Sequence, residues 1–250
     1  MIEELINFLS KFVTDNRNEL FRNIIKERTR YITVVLEDIY QSQNASAVLR
    51  TCECFGIQDV HIVENQHQFK VHQGIVLGAT NWINLYKYNR HKHENTEAAI
   101  KYLKSKSYRI IATTPHQDDV DLEAFDLDKG KVAICFGSEL DGISTDLFQY
   151  ADEFMKIPMY GFTESLNISV SAAIVIHHLM YKLKQSSIKY GLSKDEQNRV
   201  LLSWLRNSIK KSDHIINHFL KKNNYNSEEI QFLYNEPYEF ELEEFGNEIK

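Results

Sequence analysis

Apolar positions recur along this chain with two spacings, and the alternation between them predicts an α/β protein. Leu5, Ile6, Leu9, Phe12 and Val13, then Leu20, Phe21, Ile24 and Ile25, each keep one face at helical spacing, predicting helices over 2–13 and 16–28. Thr14-Asp15-Asn16 supplies the break and an N-cap between them. Ile32-Thr33-Val34-Val35-Leu36 reads as a buried strand, Ala45 to Phe55 as a helix ended by Gly56, and Val60-His61-Ile62-Val63 as the next strand. A strand, a helix and a strand in succession imply a parallel pair with a right-handed crossover.

The stretch from Phe69 to Tyr88 has scattered apolar residues and no clear period, so no element is placed there. Beyond it the pattern predicts a helix over 96–106, a strand over 109–113 halted by Pro115, and an acidic connection from Asp118 to Asp128. Strands follow over 131–136 and 154–158, separated by a short helix near 145–150. A long apolar helix starts at Asn167 and runs to about Lys184, and two more helices fall near 194–209 and 213–220. With no internal repeat and no Pro/Gly/Ser-rich linker, the expectation is a single α/β domain with a mostly parallel sheet and helical extensions at both ends. The divisions are an N-terminal helical extension over 1–30, the α/β domain over 31–185, basic helices over 186–224 and an acidic tail over 225–250.

Composition adds constraints rather than a class. Apolar residues make up 43% of the chain and charged residues 26%, which is ordinary for a soluble protein. The longest apolar runs, such as Ala172 to Ile176, fall far short of the roughly 20 residues that span a bilayer. The start lacks the basic and small-residue features of a secretory signal, so a cytoplasmic protein without a membrane partner is expected. Cys52, Cys54 and Cys135 fit reduced core thiols better than a disulfide framework or a zinc site. The histidines, including His177-His178 and the His214/His218 pair, show no metal-binding spacing, so no metal is expected.

The net charge of −6 is unevenly placed. Eight glutamates against one lysine after Asn224 leave a slight excess of positive charge in the rest of the chain. Between Lys182 and Lys222 ten Lys and Arg face three Asp and Glu, which suits either a phosphate-binding surface or a solvated helix face.

Three loops that join strands to helices carry the candidate chemistry. In the first, Asn44 and Arg50 are six residues apart, with Arg50 on a helix that is otherwise apolar; its charge calls for a carboxylate, a phosphate or a loop carbonyl, with Glu53 or Glu139 as internal partners. In the second, Gly137-Ser138-Glu139-Leu140-Asp141-Gly142 sets a carboxylate between glycines at a strand end; this is neither the dinucleotide fingerprint nor a Walker loop. In the third, Ser165 or Asn167 opens the long helix, where either can cap free N–H groups or face an anionic ligand.

The runs N-A-S-A-V-L-R-T, F-G-S-E-L-D-G-I-S and I-P-M-Y-G-F-T-E-S-L-N-I-S-V-S-A-A, in this order and spacing, resemble the three motifs of the SpoU/TrmH branch of SPOUT RNA 2′-O-methyltransferases. The resemblance covers about Arg17 to Lys184 and is nearest to the enzymes that methylate guanosine 18 of tRNA, because a basic helix feeds directly into I-T-V-V-L-E-D-I. It implies a SPOUT-type α/β domain with a C-terminal trefoil knot, working as a homodimer on tRNA with S-adenosyl-L-methionine as methyl donor and no metal. Carried over by motif, Arg50 acts on the ribose 2′-hydroxyl with Asn44 in support, Glu139, Ser165 and Asn167 complete the pocket, and Thr113, Gly137, Ile157 and Leu166 line the cofactor. Arg17, Arg28, Lys182 and Lys184 are the candidate RNA contacts. The chain departs from the family where closely spaced arginines are usual late in the third-motif helix, since that region reads Tyr181-Lys182-Leu183-Lys184. The alternatives are a ribosomal-RNA 2′-O-methyltransferase, for which the ~30 residues before the first strand are too few to form the separate RNA-binding domain often seen, or a non-catalytic RNA-binding protein of the same fold. A nucleotide-binding oxidoreductase is disfavoured by the missing glycine fingerprint.

Overall fold

The computed structural model of the protein describes residues 1–90, 94–115 and 119–225. It divides into two compact units, one from Thr29 to Tyr190 and one that joins Met1–Arg28 to the chain from Gly191 onward. Asp118 and the acidic segment 226–250 lie outside the described residues.

The central unit contains, among the described residues, seven strands: β1 (Ile32–Glu37), β2 (Asp59–Val63), β3 (Asn84–Tyr88), β4 (Arg109–Thr113), β5 (Val120–Asp121), β6 (Val132–Phe136) and β7 (Glu153–Lys156). They pair in the order β3-β2-β1-β6-β4-β7-β5, and each pairing is parallel. β1 lies between β2 and β6, with Val34 opposite Val60 on one side and Ile134 on the other. All of β1, β2 and β6 is buried, which is why each carries apolar residues on both faces instead of on one face only. The helices of this unit are α3 (Ser42–Cys54), α4 (Gln73–Val76), α5 (Asn95–Ser105), α6 (Thr145–Tyr150) and α7 (Ile168–Gln185). One side of α7 supplies Ala172, Val175, Ile176, Leu179 and Leu183 to the same core as Val48, Leu49 and Cys52 of α3.

Two strands escaped the sequence pattern. β3, in the stretch left unplaced, lies at one edge of the sheet and exposes Lys87 between buried Tyr86 and Tyr88. β5 lies in the acidic connection at the other edge, where two exposed residues pair with β7. An edge strand is held by backbone bonds and requires no apolar run to announce it.

The terminal helices come together in a unit of their own: α1 (Ile2–Leu9), α2 (Asp15–Ile24), α8 (Lys194–Ser208) and α9 (Ser212–Lys222). Leu5, Leu9, Leu205 and Leu220 are fully buried there, and Trp204 packs its ring 5.6 Å from that of Phe21. Thr14 caps α2 by accepting from the Arg17 amide, and Ser193 with Glu196 forms a reciprocal capping box at the start of α8.

Cys52 and Cys135 are buried free thiols, as expected, but Cys54 is exposed. Residues two apart on a helix differ by about 200° in direction, so Cys54 faces away from the side that Cys52 buries. Burial, with the nearby Glu37 and Asp152 carboxylates, holds the Cys135 thiol well above its ordinary range.

His61 lies within β2 at 2% exposure, its Nδ1 2.9 Å from the Tyr88 hydroxyl and its ring stacked on Tyr86. Burial pushes this imidazole down from 6.5 to about 3. Between those values the unfolded chain binds a proton that the folded protein excludes. Stability therefore falls as pH drops through this window, by up to about 1.4 kcal/mol per pH unit for this one group. Urea unfolding at pH 7 and pH 4.5 should show a smaller acid loss in His61→Phe than in the wild type; equal losses would remove His61 from the acid response.

Candidate active site

Because the sheet is parallel, the loops that follow β1, β6, β4 and β7 emerge at one edge from four adjacent strands. Three of these loops carry the motifs, and side-chain hydrogen bonds connect them. Asn44, in the first turn of α3 and 8% exposed, donates through Nδ2 to Glu139 Oε1 at 2.8 Å and accepts at Oδ1 from Asn167 Nδ2 at 3.2 Å. Glu139 also accepts from the backbone N–H of Tyr40 at 3.1 Å and of Gln41 at 3.4 Å. Asn167 Oδ1 in turn accepts from the Ser169 N–H at 2.9 Å and the Ser169 hydroxyl at 2.6 Å.

Each link has a local cause. Gln41, at the N-cap of α3, makes no side-chain cap, and the Glu139 carboxylate bonds the amides at this helix start from another segment. Glu139 is thus an anchor rather than a solvated turn residue. Its loop is drawn tight by Ser138 and Gly142, whose backbones exchange bonds of 2.8 and 3.1 Å. Gly142 has φ +69°, and a Cβ on Gly137 would stand 2.0 Å from the Gly142 carbonyl oxygen, so both positions require glycine. Asn167 caps α7 by accepting from Ser169, as the capping reading expects, and also donates to Asn44.

The other expected site residues are placed differently. Arg50 is exposed, and among the described residues no hydrogen bond or ion pair holds its guanidinium. The expected internal partner is therefore absent there: six residues of helix carry Arg50 ~9 Å along the axis from Asn44 and about 120° around it, away from Glu139. Ser165 is exposed, and Asn167 rather than Ser165 makes the cap. Thr113 ends β4 and donates to the Cys135 carbonyl at 2.9 Å. Ile157 follows β7 half-buried, and Leu166 is 38% exposed. From Met159 to Leu166 no backbone group bonds to another backbone group among the described residues, which leaves a row of open donors and acceptors beside apolar side chains. That combination fits an adenosine-bearing ligand, whose base takes apolar contact and backbone hydrogen bonds. Among the described residues no group of three or more His, Cys, Asp or Glu is arranged to hold a metal.

Of the candidate RNA contacts, Arg17 and Lys184 are exposed. Arg28 corrects the expectation: it is 1% exposed, with its guanidinium 5.6 Å from the centre of the Trp204 ring, so the side chain serves the helical core instead of presenting charge. Lys182 is half-buried, and its ammonium donates to the carbonyls of Glu123 and Phe125. Arg206 likewise meets Asp213 at 3.2 Å, so the basic stretch from Lys182 to Lys222 is no uniform free surface.

Two acidic residues passed unnoticed in the sequence. Glu37, 2% exposed, accepts from Thr96 Oγ1 at 2.6 Å, Ser144 Oγ at 2.7 Å and the Ser144 N–H at 3.0 Å. Asp38, with φ +50°, accepts through Oδ1 from the N–H groups of Asn65, Gln66 and His67 at 2.7, 2.8 and 3.2 Å. The available signal was an acidic pair directly after the apolar run Val34-Val35-Leu36.

Residues 31–177 match the model of the SpoU rRNA Methylase family. The chain is 43% identical over 212 residues to a tRNA (guanosine(18)-2′-O)-methyltransferase of Borreliella burgdorferi, covering 85% of this chain and 94% of that one. It is 29% identical to the protein of the same name from Thermus thermophilus, across 77% of this chain and 97% of its relative. The crystal structure of the A. aeolicus TrmH/SpoU tRNA modifying enzyme superposes with a TM-score of 0.69 over 79% of this chain and 98% of that one, at 24% identity. The AviRb methyltransferase of Streptomyces viridochromogenes, in complex with AdoMet, superposes with a TM-score of 0.54 over 66% and 62% of the two chains, at 15% identity.

Asn44→Asp tests the link between the first two loops, because it replaces the donor 2.8 Å from Glu139 with a second carboxylate. Loss of the bond and like-charge repulsion should destabilise the protein by roughly 1–3 kcal/mol at pH 7.5. Protonation of either carboxyl relieves the repulsion, so the gap to wild type narrows as pH falls to 5. Thermal unfolding at both pH values reads it, and a constant gap would contradict the contact.

Proposed function

The chain belongs to the SpoU rRNA methylase family, and on that premise we propose that it methylates the ribose 2′-hydroxyl of guanosine 18 in tRNA, in the cytoplasm and as a homodimer. The observation that carries this reading is the hydrogen-bonded chain from Glu139 through Asn44 to Asn167, which joins all three motif loops at the sheet edge where a ligand binds. S-adenosylmethionine supplies the activated methyl group. Backbone groups around Gly137, Ile157 and Leu166, with Thr113 beneath, would hold it; the trefoil knot of the family belongs to the same proposal.

Methyl transfer to a hydroxyl depends on alignment and on stabilising the oxygen as its proton leaves. Arg50 is the cation suited to that task, since its guanidinium is exposed and unengaged among the described residues. A guanidinium keeps its proton at any pH of interest, so Arg50 acts as a charge beside the developing oxyanion and the proton passes to solvent. Asn44, Glu139 and Asn167 hold the three loops to one another, with Ser165 at the open end of the third loop.

The dimer rests on α7. Val170, Ile174 and Tyr181 are 46%, 38% and 63% exposed and follow one another at helical spacing with exposed His177, forming an apolar stripe opposite the face packed in the core. A second copy of the chain would cover it. Ile174→Lys should convert a dimer into a monomer in analytical ultracentrifugation, and a monomeric wild type would end this part of the reading.

Incubation with labelled S-adenosylmethionine and unmodified tRNA, followed by nucleotide mapping, should yield a single 2′-O-methylguanosine in the D-loop. Label on ribosomal RNA and none on tRNA would replace the substrate. Arg50→Ala should lower turnover by a factor on the order of a hundred or more while affinity for S-adenosylmethionine stays near wild type; full activity would remove Arg50 from the chemistry.

A further inference from the structure

The loop that carries Glu139 is held at both ends by carboxylates, and only one of them belongs to the three motifs. Glu139 reaches from this loop to the amides of Tyr40 and Gln41 and to Asn44. Glu37 reaches in the opposite sense, from the end of β1 to Ser144 at the far end of the same loop. Each segment thus grips the other through one carboxylate. We propose that Glu37 is a positioning residue for the methyl transfer, fixing the far end of the 137–144 loop so that Glu139 and Asn44 keep the orientation the reaction requires. This rests on the function proposed above.

The environment of Glu37 is unlike that of a side chain kept for stability alone. It ends a fully buried and mostly apolar strand, and among the described residues no hydrogen bond or ion pair joins it to a cation. A buried carboxylate held only by neutral donors loses its hydration and gains no ion pair in return, so an apolar residue would serve packing better. Its donors are instead specific. The Thr96 hydroxyl already accepts from Asn65 Nδ2 at 2.8 Å, which directs its own proton to Glu37. Ser144 presents both its N–H and its hydroxyl to Glu37, and the same hydroxyl caps α6 by accepting from the Leu147 N–H at 3.1 Å. One carboxylate therefore fixes the first turn of α5, the start of α6 and the end of the site loop. Freed at Ser144, the loop would be tied to the segment after β1 only through Glu139, two of whose bonds are to backbone amides at 3.1 and 3.4 Å.

The test uses Glu37→Ala, Glu37→Gln and Glu139→Gln in the full-length protein, with kcat counted per folded site by titration with S-adenosylmethionine. Glu37→Ala should lower kcat by a factor on the order of ten to a hundred while KM for tRNA changes little. Glu37→Gln, which keeps the length and an acceptor for the Ser144 amide, should recover most of the rate. The double variant Glu37→Ala with Glu139→Gln should lose no more than the worse single variant, because both act on one loop. Wild-type kcat in folded Glu37→Ala, or losses that multiply in the double variant, would overturn the proposal. A readout independent of catalysis separates it from the functional reading: amide exchange over 138–144 should rise by about tenfold or more in Glu37→Ala, and unchanged exchange would overturn the pinning even if the wild type methylates tRNA. A wild type that neither binds S-adenosylmethionine nor methylates tRNA, with exchange raised in the variant, would leave the pinning in place and overturn its catalytic purpose.

Discussion

A single carboxamide holds the candidate site together. Asn44 has one donor group and one acceptor oxygen, and it uses the first on Glu139 and the second on Asn167. Among the described residues no other side chain bonds to partners on both the loop after β6 and the loop after β7. An aspartate in its place would lack the donor, and an alanine would lack both functions, so the chemistry of the amide itself, and not its bulk, makes the three loops one unit. The parallel sheet makes the meeting possible: β1, β6, β4 and β7 are neighbours whose ends face the same way.

This arrangement explains why the site is rigid in one part and open in another. Glu139 and Asn44 sit among backbone amides and a helix start, while Arg50 and the backbone from Met159 to Leu166 face outward without internal partners among the described residues. A pocket for a small anchored ligand and an approach for a large one require that contrast. Rigid groups define where the reacting atoms meet, and open groups are left for what arrives.

The strands in the middle of the sheet were legible in the sequence because burial on both faces demands continuous β-branched and apolar runs, as in Ile32 to Leu36. The edge strands β3 and β5 were not, because their pairing is a backbone matter. The three motif loops stood out through their glycines and polar tips, yet their bonds to one another depend on strand order, which no local pattern records. Glu37 shows the same limit. Its sequence position says only that a carboxylate ends a buried strand, whereas its meaning comes from Ser144, 107 residues later. Arg28 errs in the other direction, since a basic residue at a helix exit reads as surface charge until Trp204 is found against it.

The central claim is that the three loops present a ribose oxygen, at guanosine 18 of tRNA, for methylation. A transcript with 2′-deoxyguanosine at that one position removes the oxygen and leaves the base, the phosphates and the tRNA fold in place. The account predicts binding close to that of the unmodified transcript and no methyl incorporation from labelled S-adenosylmethionine. Incorporation at the rate seen with the all-ribose transcript would contradict it, because the methyl group would then be going to another atom.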